Sequence, residues 1–93
     1  MHVVVRSYSD EGASELFDLL GQREDEVKNL ISGVPGFVSY TAFRNADGGS
    51  TVTVCEDKAG TDESSRRAAG RVKENVSVTV TPVIIEGDTV LHF

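Results

Sequence analysis

The stretch GFVSYTAFRNADGGSTVTVCEDKAG, residues 36–60, decides the fold. Two β-forming runs flank Asp47, Gly48 and Gly49, a strong hairpin-turn signal. Side chains along a strand point alternately to opposite faces, so a half-buried strand alternates apolar with polar. The first run, residues 37–45, breaks that rule. Phe37 and Phe43 lie at odd positions, while Val38, Tyr40 and Ala42 lie at even ones. The second run, residues 50–56, is more regular, with Val52 and Val54 set against Thr51, Thr53 and Cys55.

Working outward, residues 2–8, HVVVRSY, form a β-branched run that reads as the first strand. Here too both parities are apolar: Val3 and Val5 on one side, Val4 and Tyr8 on the other. Residues 10–12 break this strand. From Ala13 the apolar positions become Leu16, Phe17, Leu20, Val27, Leu30, Ile31 and Val34, at helical spacing. The spacing predicts a continuous helix of about 20 residues, roughly 30 Å long. Asp10 or Ser14 can cap it, Gly21 can bend it, and Gly33 with Pro35 ends it.

After the hairpin, Thr61 can cap a second helix, with Asp62 and Glu63 in its first turn. Arg66, Arg67, Arg71 and Lys73 fill later turns, matching the helix dipole, and the helix ends near Asn75. Its inner face, Ser65, Ala68, Ala69 and Val72, is built of small residues. Such a face either packs very close to the sheet or leaves a cavity. Close packing is the favoured reading, and Gly70 fits it. In the tail, Pro82 argues against a central strand, residues 86–88 read as a turn or bulge, and residues 89–93 as a last short strand.

Strand, helix, strand, strand, helix, strand is the ferredoxin-like βαββαβ plan, an α+β fold. It predicts a four-stranded antiparallel sheet in the order 4-1-3-2 with both helices on one face, a single domain over residues 1–93. The second sheet face then carries several Val, Phe and Tyr side chains. Burying each is worth roughly 1.5–3 kcal/mol, and five of them match the total stability of a small domain. A second copy laid sheet against sheet would bury them, so a homodimer is expected. The alternative is a monomer whose β-formers are simply exposed.

Bulk properties narrow the classes. The chain has 93 residues and a net charge of −6. With no lysine or arginine stripe to offset it, that charge argues against nucleic-acid binding. No run approaches the ~18 apolar residues of a membrane span. One cysteine, Cys55, forbids an intrachain disulfide, and residues 1–20 lack a secretory pattern. The expectation is a soluble cytoplasmic protein.

The order of elements, the long first helix, VPGFVSYTAFR leading into the second strand and VCEDKAGTDES leading out of the third together resemble the dimeric α+β barrel proteins. Among these, the chain is most similar to the antibiotic biosynthesis monooxygenase-like group, over nearly its whole length. The resemblance implies two sheets closing into a barrel across a dimer. It also implies an extended tail reaching the partner, which residues 78–85 would suit. It places a pocket in each protomer between sheet and helices, lined by Tyr8, Phe17, Leu20, Tyr40 and Phe43. Arg6, Arg44 and His92 are further polar candidates. It implies a small-molecule-binding barrel, with a cofactor-independent monooxygenase acting on an aromatic substrate as one expectation. In such enzymes the substrate anion itself reduces oxygen, so the site needs a dry pocket and donors. A non-catalytic stress-related or ligand-sensing barrel is the alternative, and an amino-acid-binding regulatory domain with its site near residues 10–12 a third. Haem degradation, another branch, is not expected, since tryptophan is absent and no histidine lies between residues 3 and 91.

No cofactor or metal is expected. His2 and His92 can meet as cross-strand neighbours, but two histidines make a poor metal site, and solvated strand ends are the simpler reading. Cys55 reads as a buried structural thiol.

Overall fold

The computed structural model describes residues 1–9, 12–75 and 81–93, with residues 10–11 and 76–80 outside the description. The elements are β1 (His2–Tyr8), α1 (Ala13–Gln22), α2 (Glu24–Ser32), β2 (Phe37–Asn45), β3 (Gly48–Cys55), α3 (Lys58–Asn75) and β4 (Val83–Asp88). The sheet order is β2-β3-β1-β4, antiparallel throughout, as the sequence predicts.

Alternation along β1 sets the layers. His2, Val4, Arg6 and Tyr8 are buried towards the helices, and Val3, Val5 and Ser7 face the other way. Cross-strand partners share a face, so the register carries this division over the sheet. Thr51 and Thr53 sit opposite Arg6 and Val4 on the helix side. The far face carries Val3, Val5, Val52 and Val54, with Val83 and Ile85 of β4 and Phe43 of β2. Phe43, Val83 and Ile85 are about half exposed or more in the single chain. A register shift between Phe37 and Ser39 breaks the alternation at the start of β2 and puts Phe37 on the same face as Tyr40 and Ala42, while Phe43 stays on the far face.

Under the helices, Tyr8, Ala13, Leu16 and Phe17 form the core, with Tyr8 and Phe17 edge to face at 6.0 Å. Gly49 makes room for this packing. A Cβ there would lie 2.7 Å from the Phe17 ring.

Four expectations are corrected. The first helix is two helices, parted at Arg23 (φ −118°, ψ 40°) rather than bent at Gly21. Three acids, Glu24, Asp25 and Glu26, give α2 an N-terminal turn of its own that suits the helix dipole. Ser14 lies within α1 behind Gly12 and caps nothing, while Asp10 falls outside the described residues. α3 starts a turn earlier than predicted: Asp57 Oδ1 accepts the Gly60 N–H at 3.1 Å, leaving Thr61 inside the helix. Finally, the last strand is Val83–Asp88, not residues 89–93. Pairing with β1 overrides the turn signal at 86–88, and by Asp88, opposite His2, β4 has run the length of β1. Residues 83–85 therefore pair within their own chain rather than forming a crossing arm; residues 78–80 lie outside the description.

Candidate functional site

The space between sheet and helices is divided in two along α3. At its N-terminal half the packing is tight and polar. Arg6, only 2% exposed, sends its guanidinium into a ring of hydroxyls. Nη2 donates to Ser64 at 2.7 Å and Ser65 at 3.0 Å, Nε to Ser65 at 3.2 Å, and Nη1 to Thr53 at 3.2 Å and Thr51 at 3.3 Å. All its nitrogens are thus hydrogen-bonded, but every partner is neutral. Burial pulls its pKa below the ordinary arginine value, while the Tyr8 and Tyr40 phenols and the Cys55 thiol oppose that pull. The guanidinium stays charged under ordinary conditions. It is a buried cation with no carboxylate paired to it among the described residues.

Beyond it, the space opens into a cavity of about 70 Å³. Tyr8, Tyr40 and Thr51 form its floor on the sheet, Thr51 being an Arg6 partner. Leu16, Leu19 and Leu20 of α1 and Val27, Leu30 and Ile31 of α2 form one wall. Ala68 and Val72 of α3 form the other, and Arg23, Glu26 and Arg71 lie at the rim. Burial raises the pKa of both phenols, against the lowering effect of Arg6 on each; for Tyr40, a hydrogen bond with Thr51 also lowers it. The floor therefore presents neutral hydroxyls backed by a fixed positive charge, suited to hold an oxyanion under an apolar roof.

A second, outer groove of about 830 Å³ runs between α1, α2 and the edge strand β2. Leu20, Val27, Ile31 and Tyr40 line both spaces and so form the partition between them.

The sequence candidates divide accordingly. Tyr8, Leu20 and Tyr40 line the cavity, and Arg6 lies beneath its floor. Phe17, Phe43 and Arg44 line the outer groove, with Arg44 held by Asp18 at 2.7 Å. His92 is exposed beyond the end of β4 and lines neither space. His2 does not meet His92, because Asp88 is its partner across the strands. Nor is it solvated. It is 6% exposed, its Nδ1 lies 2.7 Å from Thr61 Oγ1, and its Nε2 lies 3.5 Å from Glu86. Cys55 is fully buried, and burial, reinforced by Asp57, raises its pKa, which leaves it a poor nucleophile. The α2 and α3 walls were not singled out as pocket residues. Their signal was the small-residue stripe of α3, read as close packing.

No helix among the described residues is long and apolar enough to cross a membrane. No group of three or more metal-ligating side chains occurs among the described residues.

No family model matches the chain, and no curated protein matches it in sequence. Solved structures do match in fold. The NE2512 protein of unknown function from Nitrosomonas europaea superposes with a TM-score of 0.68 at 15% identity, covering 99% of this chain and 90% of that one. The monooxygenase ActVA-Orf6 of Streptomyces coelicolor, solved with the ligand nanaomycin D, gives 0.59 at 22% identity, covering 99% and 88%. An antibiotic biosynthesis monooxygenase gives 0.55 at 14% identity, covering 97% and 98%. The chain thus has the ferredoxin-like α+β fold of antibiotic biosynthesis monooxygenase-like structures, at identities that establish the fold alone.

Proposed function

We propose that this chain is a small-molecule-binding homodimer and that it acts as a cofactor-independent monooxygenase on an aromatic substrate. The observation that carries the reading is Arg6, a buried cation without a carboxylate partner among the described residues, set beneath a hydroxyl floor of Tyr8, Tyr40 and Thr51. A buried charge is costly unless something compensates it. A ligand oxyanion resting on that floor would do so, and the aliphatic walls would take the rings. The chemistry then belongs to the substrate. A carbon flanked by electron-rich rings loses a proton, the carbanion or enolate passes electrons to dioxygen, and a C–O bond forms. Loss of water leaves a carbonyl, so CH₂ and O₂ become C=O and H₂O. The protein supplies orientation, a dry pocket and stabilisation of the anion.

The far sheet face supports the dimer: Phe43, Val83 and Ile85 stand about half exposed or more there, beside the partly exposed Val3, Val5 and Val52. Sedimentation at micromolar concentration should give twice the mass of one chain, and a single-chain mass would remove the barrel.

The functional test is oxygen uptake with anthrone-like and quinol substrates, on the native chain and on Ala68→Leu, which fills the cavity from α3. Native protein should consume oxygen above the buffer rate, and the variant should lose that excess. Uptake at the buffer rate, with binding intact, would favour a non-catalytic ligand-binding module. That second reading rests on the cavity lining, where the described residues include no histidine and, at the rim, the carboxylate of Glu26.

A further inference from the structure

We infer that α2 is a lid over the cavity, hinged at Arg23 and at residues 33–36 and latched to α3 by Arg67 and Arg71. The inference rests on the small-molecule reading for its purpose but not for its geometry.

Size poses the problem. Sites for drug-sized ligands measure roughly 300–1,000 Å³. The cavity is about 70 Å³, too small for a multi-ring molecule, whereas the outer groove is about 830 Å³. Four residues line both spaces, and two of them, Val27 and Ile31, belong to α2. Displacing α2 would join the two spaces into one site of adequate size.

α2 is built to be displaced. It is nine residues long, and only Ile31 among them is buried. Its N-terminal end is the helix break at Arg23, and Gly21 beside it has nothing within 4 Å of a would-be Cβ. Its C-terminal end runs into Gly33 and then Gly36, whose φ is +74°, a conformation that glycine adopts freely. Loop or element-terminal residues of this kind absorb the backbone rotation of a closing lid.

Two polar ties span the gap to α3. Arg71 Nη2 pairs with Glu26 in the first turn of α2. Arg67 Nη1 donates to the Leu30 carbonyl at 2.9 Å, near the C-terminal end, while its Nε holds Glu63 at 2.9 Å. The arginine is thus anchored on α3 and caps the last turn of α2, where a cation suits the dipole. Both ties are partly exposed, so each is weak enough to open.

The test is residue-resolved hydrogen exchange on the full chain, together with stopped-flow binding of anilinonaphthalene sulfonate, an anionic aromatic fluorophore. Glu26→Arg and Arg71→Glu should each speed exchange of α2 amides by about fivefold, leaving α1 and α3 within twofold. The double reversal, E26R with R71E, should restore α2 protection. The fluorophore's association rate should rise and fall in step with α2 exchange. Unchanged α2 exchange in both single variants overturns the lid, as does equal acceleration of α1 and α3. If α2 responds as expected while the fluorophore fails to bind native protein, the lid stands and the ligand reading falls. Should a reversal fail to fold, Arg67→Met breaks the other latch and must produce the same α2-specific acceleration.

Discussion

The two ends of α3 face the same sheet and do opposite things there. At the first end, Gly60, Thr61 and Ser64 press against β1, β3 and the loop before β2, and the last two are buried completely or nearly so. At the other end, Ala68 and Val72 line a hollow, with Val72 touching the core beside it. The residues are small at both ends, so size alone does not decide whether a helix closes on a sheet. What differs is the bridging material. The close end has hydroxyls that reach Arg6 and His2 across the gap, and the open end sets Ala68 and Val72 opposite two phenols, with Arg71 at the rim paired to Glu26 of α2. Hydrogen bonds to the sheet draw the first half down, whereas Arg71 in the second half is paired with Glu26 of α2.

Removing the bridge should therefore have the largest effect. Arg6→Ala strips five hydrogen-bonding contacts from four hydroxyl-bearing residues and leaves a void in the tight half. A loss of about 3–5 kcal/mol is expected in urea unfolding, a large share of a small domain's stability. Wild-type stability in this variant would show that the close end is held by shape rather than by the guanidinium.

A sharper contrast comes from one substitution made twice in the same helix. A Cβ at Gly60 would lie 2.6 Å from the Pro35 carbonyl and 2.8 Å from the Cys55 Cβ, whereas one at Gly70 meets nothing within 4 Å. Gly60→Ala should cost about 1–3 kcal/mol through overpacking. Gly70→Ala should stabilise by up to about 1 kcal/mol, since alanine is the better helix former and has room. Thermal melts of the two variants should move in opposite directions. Equal shifts would mean that the halves of α3 do not differ in closeness. The same pair corrects the sequence reading, which assigned close approach to Gly70.

Much of the fold was legible because its signals are local. β-branched runs, a glycine turn and helical spacing placed β1, β2, β3 and the helical segments. The break at Arg23 was hidden because the apolar spacing of Leu20, Val27 and Ile31 carries straight across it. The acids at 24–26 were the overlooked mark of a new helix start. β4 was misplaced because a glycine between two acids reads as a turn until the length of β1 decides the pairing. For the site, Tyr8 and Tyr40 stood out as polar aromatics on strands, and Arg6 as a charge inside an apolar strand. The partners that make Arg6 unusual lie 45 to 59 residues away in the chain, beyond any local pattern. The cavity itself is a property of how far α2 and α3 stand from the sheet, which no residue spacing encodes.

The smallest expected effect concerns alkaline pH and tells the two halves apart by titration. Burial raises the pKa of Tyr8 and Tyr40 above 10.0, the ordinary phenol value. A raised folded pKa means that, once unfolded phenols begin to ionise, the folded state holds more protons. Stability is then full below pH 10 and declines as pH rises towards the folded values. Tyr8→Phe with Tyr40→Phe removes that contribution, so the double variant should lose less stability between pH 9 and 11 than the native chain, as read by unfolding at each pH (about 10 is the reference point). At neutral pH the double variant should fold normally but bind an anionic aromatic more weakly, because the floor has lost both of its phenolic donors. If the alkaline slopes coincide, the phenols are freely hydrated in solution, and the hollow end of α3 is open to water rather than roofed by α2.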